Sequence, residues 1–201
     1  MSLLWMVAIT LVILQISVFC TTIYLHRAKT HKGLELNPVV GLLMHLFMYR
    51  KEARDPQTIR KYTPDWKPDV LDRIPGLEYG ALGGMAIFML MFGVWWGLAA
   101  WWVHVIGYIL LNSSINSVCH MVGYRNFDNK ATNLKSIAML TAGEGLHNNH
   151  HEFPTSARFA WRGHEIDPAW PVCLSIAPSG CDRRSVSRAG RKRKARCQRS
   201  R

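Results

Sequence analysis

Two long stretches without charge constrain the fold of this chain more than any other feature. Residues 3–25 and residues 79–124 contain no Asp, Glu, Lys or Arg. A helix crosses a bilayer with roughly 20 apolar residues, so the first stretch can cross once and the second twice, as a hairpin. A soluble core helix would show a recurring polar face in the second stretch, and none recurs. These patterns predict an all-α integral membrane protein with about three transmembrane helices.

The predicted crossings are residues 3–25, 79–96 and 97–119, with the hairpin turn near the paired tryptophans at 95–96, which suit a membrane interface. The apolar run 38–49 reaches only about 18 Å as a helix, so a re-entrant or interfacial helix is expected there. Residues 120–177 are expected to form a cytosolic, histidine-rich helical cap that completes one domain, residues 1–177. A cleaved signal peptide is the alternative for the first stretch, but it lacks a basic leading region and a small-residue cleavage site.

Charge is concentrated at one end of the sequence. Residues 182–201 hold ten Lys/Arg and one Asp, so they account for +9 of the formal net charge of +12. The remainder is nearly balanced, and no nucleic-acid partner is expected. Residues 178–201 are predicted to be a basic disordered tail, because they show no periodicity and contain few apolar residues. The five cysteines form no CxxC pair and are expected to be free thiols.

Histidines form the one cluster that indicates chemistry. His147, His150 and His151 are spaced i, i+3 and i+4, so they share a helix face. His120 ends the predicted hairpin, and His26 and His31 follow the first predicted crossing. One crossing plus one hairpin places all six on the same side of the membrane, where Lys and Arg next to the first helix indicate the cytoplasm.

Imidazole-rich sites without thiolates suit iron, zinc, copper or nickel, so the six histidines are candidate metal ligands. Glu144 and Glu152 flank the last histidines and are expected to orient imidazole N–H groups. His45 and His104 are expected to be packing residues, and His164 has no partner at ligand spacing. Considered alone, a pair such as His26 and His31 in a basic segment beside the membrane more often faces lipid headgroups.

The segments "YLHRAKTHKGLELNP", "NSVCHMVGYRNF" and "GEGLHNNHHEFP" resemble the membrane-bound fatty acid desaturases, in particular the bacterial acyl-CoA delta-9 branch. The resemblance covers about residues 3–172. It implies iron, in a di-iron site at the cytoplasmic face of the bacterial inner membrane, with His26, His31, His120, His147, His150 and His151 as ligands. It also implies that Asn116 binds metal through water. The implied reaction is O2-dependent insertion of a double bond into a fatty acyl chain.

The resemblance further implies partners and leaves alternatives open. The acyl chain would be carried by CoA, acyl carrier protein or phospholipid. Electrons would come from a ferredoxin, rubredoxin or cytochrome b5 type donor with its reductase. Met85, Phe88, Met89, Phe92 and Trp101 could line an acyl channel, although core packing is an equal alternative for these five residues.

One motif of the family is absent from this sequence. The family has a middle HxxHH motif, whereas only His45 and His104 occur between His31 and His120. The sequence around residues 47–50 suggests an internal deletion. The histidines that remain are enough to bind one metal ion and few for two. The alternatives are therefore a non-catalytic or vestigial membrane metal-binding protein, a partner subunit for an intact homologue, and an acyl-chain or alkane hydroxylase.

Overall fold

The computed structural model describes residues 2–46 and 80–177. The basic tail, residues 47–49 of the predicted re-entrant segment and the position of the apparent deletion lie outside these residues. The helices are, in chain order, α1 (Leu3–Cys20), a π-helix (Thr21–Thr30), α2 (Pro38–Leu46), α3 (Gly80–Phe92), α4 (Val94–Asn116), a 3-10 turn (Val118–His120), α5 (Lys135–Leu140), α6 (His147–Glu152) and α7 (Ala169–Ile176). Within the described ranges, β-type pairing is limited to two isolated bridges, so the all-α expectation holds there.

Two helices are long and apolar enough to cross a membrane. They are Leu3–Thr30, which joins α1 to the π-helix, and Val94–His120, which joins α4 to the 3-10 turn. Large apolar side chains on their outer surfaces are exposed, as on Trp5, Trp95 and Leu110. An apolar outer surface suits lipid contact. The number of crossings stays a prediction.

The predicted hairpin forms, but its turn lies at Gly93 and its first arm is the short helix α3. Trp101 Nε1 donates to the Ala81 carbonyl at 3.1 Å, so α3 and α4 run antiparallel. Gly93 has a φ of 80°, a backbone conformation that glycine adopts without strain. The two tryptophans that suggested a turn at 94–97 instead begin α4, because interfacial aromatic residues do not themselves bend the chain.

Helices α1 and α4 pack side by side and run in the same direction. Ser17 Oγ lies 3.2 Å from His104 Nε2, and Thr21 Oγ1 lies 2.7 Å from the Tyr108 hydroxyl one turn further along. A small residue, Gly107, meets Leu14 at this contact. The carboxyl ends of both helices therefore reach the same end of the bundle. The His104 ring is therefore hydrogen-bonded to a neighbouring helix, which agrees with the expectation that it is a packing residue.

Residues 121–177 cover that end of the bundle as a cap. The cap is less helical than predicted: only the short helices α5, α6 and α7 occur in it, and turns and loops make up the rest. Its apolar interior joins the bundle through a cluster of small and branched side chains, namely Leu14, Val18, Ile23, Leu34, Ala142, Ala157, Ala169 and Cys173. Cys20, Cys119 and Cys173 are free thiols, as expected; Cys181 and Cys197 lie outside the described residues.

A buried ion pair fixes the cap to the first long helix. Arg27 is 1% exposed and donates to both carboxylate oxygens of Asp167, at 2.9 and 3.1 Å. It also donates to the carbonyls of Ala142 and Ala157, and its guanidinium stacks 3.9 Å from the Phe159 ring centroid. Because a bidentate pair has a defined geometry, it sets the position of the residue next to Arg27, which is His26.

Candidate metal centre

The six histidines chosen from the sequence converge beneath the bundle in two groups of three. The first group is His26, His31 and His150, and the second is His120, His147 and His151. In each group, one donor atom per ring lies within 4.8 Å of the other two. His120 therefore belongs to a different group from His31 and His150.

The π-helix explains how His26 and His31 share a face. In an α-helix, residues five apart are rotated by about 140° from one another. In a π-helix the hydrogen bond runs from residue i to residue i+5, which brings such residues into register. The backbone N–H of His31 donates to the His26 carbonyl at 3.1 Å, and the two ring centroids are 4.7 Å apart.

Helix α6 supplies ligands to both groups. His147 and His151 are one turn apart, and their Nε2 atoms are separated by 3.0 Å. His150 lies on the neighbouring position and places its Nε2 atom 3.0 Å from that of His26. The ring centroids of His147 and His150 are 5.8 Å apart, so the two groups are adjacent.

His120 approaches the second group from the bundle. It ends the 3-10 turn that follows α4, and its ring lies 5.0 Å from the His147 ring. Its Nδ1 atom faces the Lys130 carbonyl at 3.3 Å. A proton on Nδ1 leaves the Nε2 lone pair free for a metal, which is the usual support for a histidine ligand.

Burial keeps these imidazoles in the state that binds metal. Burial, together with a smaller contribution from neighbouring imidazoles, lowers the pKa of His31 to about 4 and that of His147 to about 3. The pKa values of His150 and His151 are also lowered, chiefly by burial. A neutral imidazole has a free lone pair at neutral pH, so a metal would not compete with protons for these sites.

Glu144 lies at the boundary between the first group and the bundle. It is 5% exposed, accepts a short hydrogen bond from the Thr22 hydroxyl, and has Oε2 3.4 Å from His26 Nε2. Burial raises the pKa of this carboxyl to about 7, although the nearby Arg27 opposes the shift. A carboxylate here is therefore charged at a desolvation cost that a bound cation would offset.

The structure gives less support to the other predicted site residues. Asn116 lines a cavity of about 110 Å³ together with His26, Glu144 and His147, and its side chain is largely exposed. Glu152 is exposed and has no hydrogen bond to an imidazole in the described part of the chain. The proposed acyl-channel residues do not line this cavity, whose apolar walls come from Val18, Leu111 and Ile115.

Sequence reasoning assigned no role to the two asparagines of HNNHH. Asn148 and Asn149 are buried on the face of α6 opposite the metal-facing rings. Asn149 Nδ2 donates to Glu165 Oε2 at 2.9 Å and its Oδ1 accepts from Asn133, while Asn148 Oδ1 accepts from the Phe127 backbone. This network fixes the rotation of α6. The sequence did contain a sign of this role. Two amides lie between the histidines, at positions where a helix with one solvent-exposed face would normally carry charged residues.

The donor set fits a transition metal. Two nitrogens bound at about 2.1 Å to one ion lie roughly 3.0 to 3.4 Å apart, and each group contains a pair of Nε2 atoms at 3.0 Å. The Nδ1 atoms of His147 and His150 are buried without a hydrogen-bond partner among the described residues. Each group offers three nitrogens, and a tetrahedral ion held by three of them has one further coordination position.

Curated relatives of the chain carry desaturase names. The sn-2 palmitoyl-lipid 9-desaturase of Nostoc sp. (strain 36) is 33% identical over 154 residues, which are 72% of this chain and 52% of that protein. An acyl-CoA 5-desaturase of Anemone leveillei is 41% identical over 96 residues, 43% of this chain and 28% of the relative. The sn-1 stearoyl-lipid 9-desaturase of Anabaena variabilis is 45% identical over 58 residues, 28% and 21% of the two chains.

The chain spans about half or less of the length of these relatives. No protein-family model and no solved structure matches it. The relatives include both acyl-CoA and acyl-lipid enzymes and both 5- and 9-desaturases, so they do not select the bacterial delta-9 branch. The sequence relationships support the fatty acid desaturase family for this chain, at the level of the family rather than of one branch.

Proposed function

We propose that this chain is a desaturase-type oxidoreductase that binds iron through its two histidine groups and acts on fatty acyl chains with O2. The observation that carries the proposal is the convergence of six imidazoles at the end of an apolar helical bundle. Desaturase names among the relatives support the substrate class. Bound iron would supply the O2 activation that an unactivated methylene pair requires.

The residues of the chain have separable tasks in this proposal. His26, His31 and His150 would hold one ion, and His120, His147 and His151 a second. The cavity beside Glu144 would receive the reacting part of the acyl chain against Val18, Leu111 and Ile115. Burial by the cap would exclude bulk water from the ions, which strengthens their interactions with the ligands.

The finer assignments follow from the topology predicted from the sequence. The chain would be integral to the bacterial inner membrane, with the histidine groups on the cytoplasmic face, accessible to a separate electron donor of the ferredoxin, rubredoxin or cytochrome b5 type. The acyl carrier would be CoA, acyl carrier protein or phospholipid. Asn116 would bind a metal through water, from the edge of the same cavity.

A second candidate is a membrane metal-binding protein without desaturase activity. The absence of an HxxHH motif between His31 and His120 favours it, because the histidines of that motif would be further ligands in the family. The two candidates share the metal site and differ in whether bound iron oxidises an acyl chain.

Expression of the full chain in a desaturase-deficient bacterial host separates the candidates. The desaturase proposal expects two irons per purified chain and new double bonds in membrane lipids. His147→Ala and His150→Ala are each expected to lose the iron of their own group, and with it the new double bonds. His164→Ala is the matched control, since His164 is exposed and outside both groups. Iron without a change in lipid unsaturation would support the second candidate, and an iron content that stays at the wild-type level in both alanine variants would refute the site itself.

A further inference from the structure

Glu144 is positioned differently from a carboxylate that merely supports a histidine ligand. Its Oε1 atom accepts a hydrogen bond from the Thr22 hydroxyl, while Oε2 lies 3.4 Å from His26 Nε2. That same Nε2 atom lies 3.0 Å from His150 Nε2, so it faces the centre of the first group. The carboxylate therefore contacts Nε2 of His26, the nitrogen that would bind metal, rather than the other ring nitrogen.

This distinction has a chemical consequence. A nitrogen bound to a metal carries no proton, so it has no N–H to donate to a carboxylate. Supporting carboxylates accept from the second ring nitrogen, on the side away from the ion. Once an ion is bound to His26 Nε2, the Glu144 Oε2 atom loses any hydrogen bond to it and lies at the separation expected of a fellow ligand, since two donors at a tetrahedral angle are roughly 3.4 Å apart.

We propose that Glu144 is the fourth protein ligand of the first group, giving a site of three histidines and one carboxylate. The inference rests on the proposed metal function of the same histidines. Glu144 is not among the donors that already lie within 4.8 Å of one another, so its side chain turns toward the ion when the ion binds.

The two groups then differ in charge and in affinity. The first group gains an anionic oxygen in a buried position, whereas the second contains only neutral imidazoles, one of which, His151, is exposed. A carboxylate ligand neutralises part of the ion's charge where water cannot. The first group is therefore expected to bind a divalent ion more tightly and to fill before the second.

The test uses Co2+ binding to the full-length chain purified in detergent. A parent carrying His120→Ala and His151→Ala confines binding to the first group. Adding Glu144→Gln is expected to weaken Co2+ binding roughly thirtyfold or more and to change the visible absorption of the bound ion. Glu152→Gln is the matched control and is expected to leave both within threefold of the parent. An unchanged affinity or an unchanged absorption spectrum in Glu144→Gln would overturn the assignment.

A second measurement does not depend on the folding of a variant. Native chain labelled with 13C-glutamate is compared with unlabelled chain by infrared difference spectroscopy upon addition of Co2+. A carboxylate band that shifts on metal binding and moves with the label is expected, and its absence would refute Glu144 as a ligand. If His150→Ala loses the ion while Glu144→Gln keeps it, only this inference fails; if the native chain binds no Co2+, the proposed function fails.

Discussion

Gly143 is a position beside the Arg27–Asp167 pair that accommodates no side chain larger than that of glycine. It has a φ of 101°, and a Cβ atom there would lie 2.2 Å from Asp167 Oδ1 and 2.8 Å from an Arg27 nitrogen. Gly143→Ala is therefore expected to lower the free energy of unfolding by about 2 kcal/mol or more, through backbone strain and displacement of the ion pair. Thermal unfolding in detergent measures this, and Gly163→Ala, whose Cβ meets nothing within 4 Å, is expected to stay near the wild type.

The ion pair itself gives a second prediction. Asp167→Asn leaves the Arg27 guanidinium buried without its anion, and removal of one partner from a buried pair costs about 3–5 kcal/mol. The loss is expected to reach the first histidine group as weaker metal binding, because Arg27 precedes His26. Asp128→Asn, at an exposed carboxylate, is the control. Equal stability of the two variants in denaturant titration would contradict a structural role for the pair.

Some of these residues could be recognised from the sequence and some could not. The histidines were recognisable because several imidazoles at ligand spacing rarely serve packing. Arg27 was interpreted as part of a basic segment beside the membrane, yet it is buried. Its partner Asp167 lies 140 positions away, and no local pattern links the two. Long-range pairing of this kind depends on the tertiary fold alone.

At the scale of elements, the α3–α4 hairpin depends on a close approach of two backbones. A Cβ atom on Gly97 would lie 2.3 Å from Met89 Cα and 2.4 Å from the Phe88 carbonyl oxygen. Gly97→Ala is therefore expected to push the arms apart and to reduce the yield of folded protein and its thermal stability. Gly83→Ala adds the same methyl group where nothing lies within 4 Å, so its stability is expected to be unchanged. Similar melting temperatures for the two variants would argue against close arm packing.

The element boundaries illustrate what hydropathy can and cannot predict. Absence of charge predicted the helices of residues 3–25 and 79–119, since apolar helices need no other signal. It did not locate the turn, because the conformation of Gly93 is a local backbone property and the tryptophans beside it are equally apolar. The π-helix was also not predicted, because a histidine pair five residues apart at the end of a helix does not by itself specify the backbone geometry.

At the scale of the whole molecule, bound metal is expected to hold the bundle and the cap together. The ligands come from the π-helix, the 3-10 turn and α6, so an ion that binds only the folded chain stabilises their mutual packing. At an ion concentration one hundred times the dissociation constant, each site contributes about 2.7 kcal/mol. Removal of metal with a chelator is expected to lower the melting temperature, and re-addition of Fe2+ or Co2+ to restore it.

His150→Ala should abolish part of that metal-dependent stabilisation, whereas His164→Ala should retain it in full. A melting temperature that does not respond to the chelator would contradict metal binding between bundle and cap. Circular dichroism at the helix band follows the bundle. Fluorescence of Trp161 and Trp170 reports on the cap in a variant whose other six tryptophans are replaced by phenylalanine. Together they show whether the two parts lose structure at one temperature.

The ion pair between Arg27 and Asp167 also dictates the order of events during synthesis. Translation releases the first helix long before position 167 leaves the ribosome, and domains generally form as their segments emerge. Until then the guanidinium lacks its Asp167 partner, and the pair cannot orient His26. Under the proposed metal function, the first histidine group can therefore form only after the cap has been synthesised, since His150 also lies in the cap.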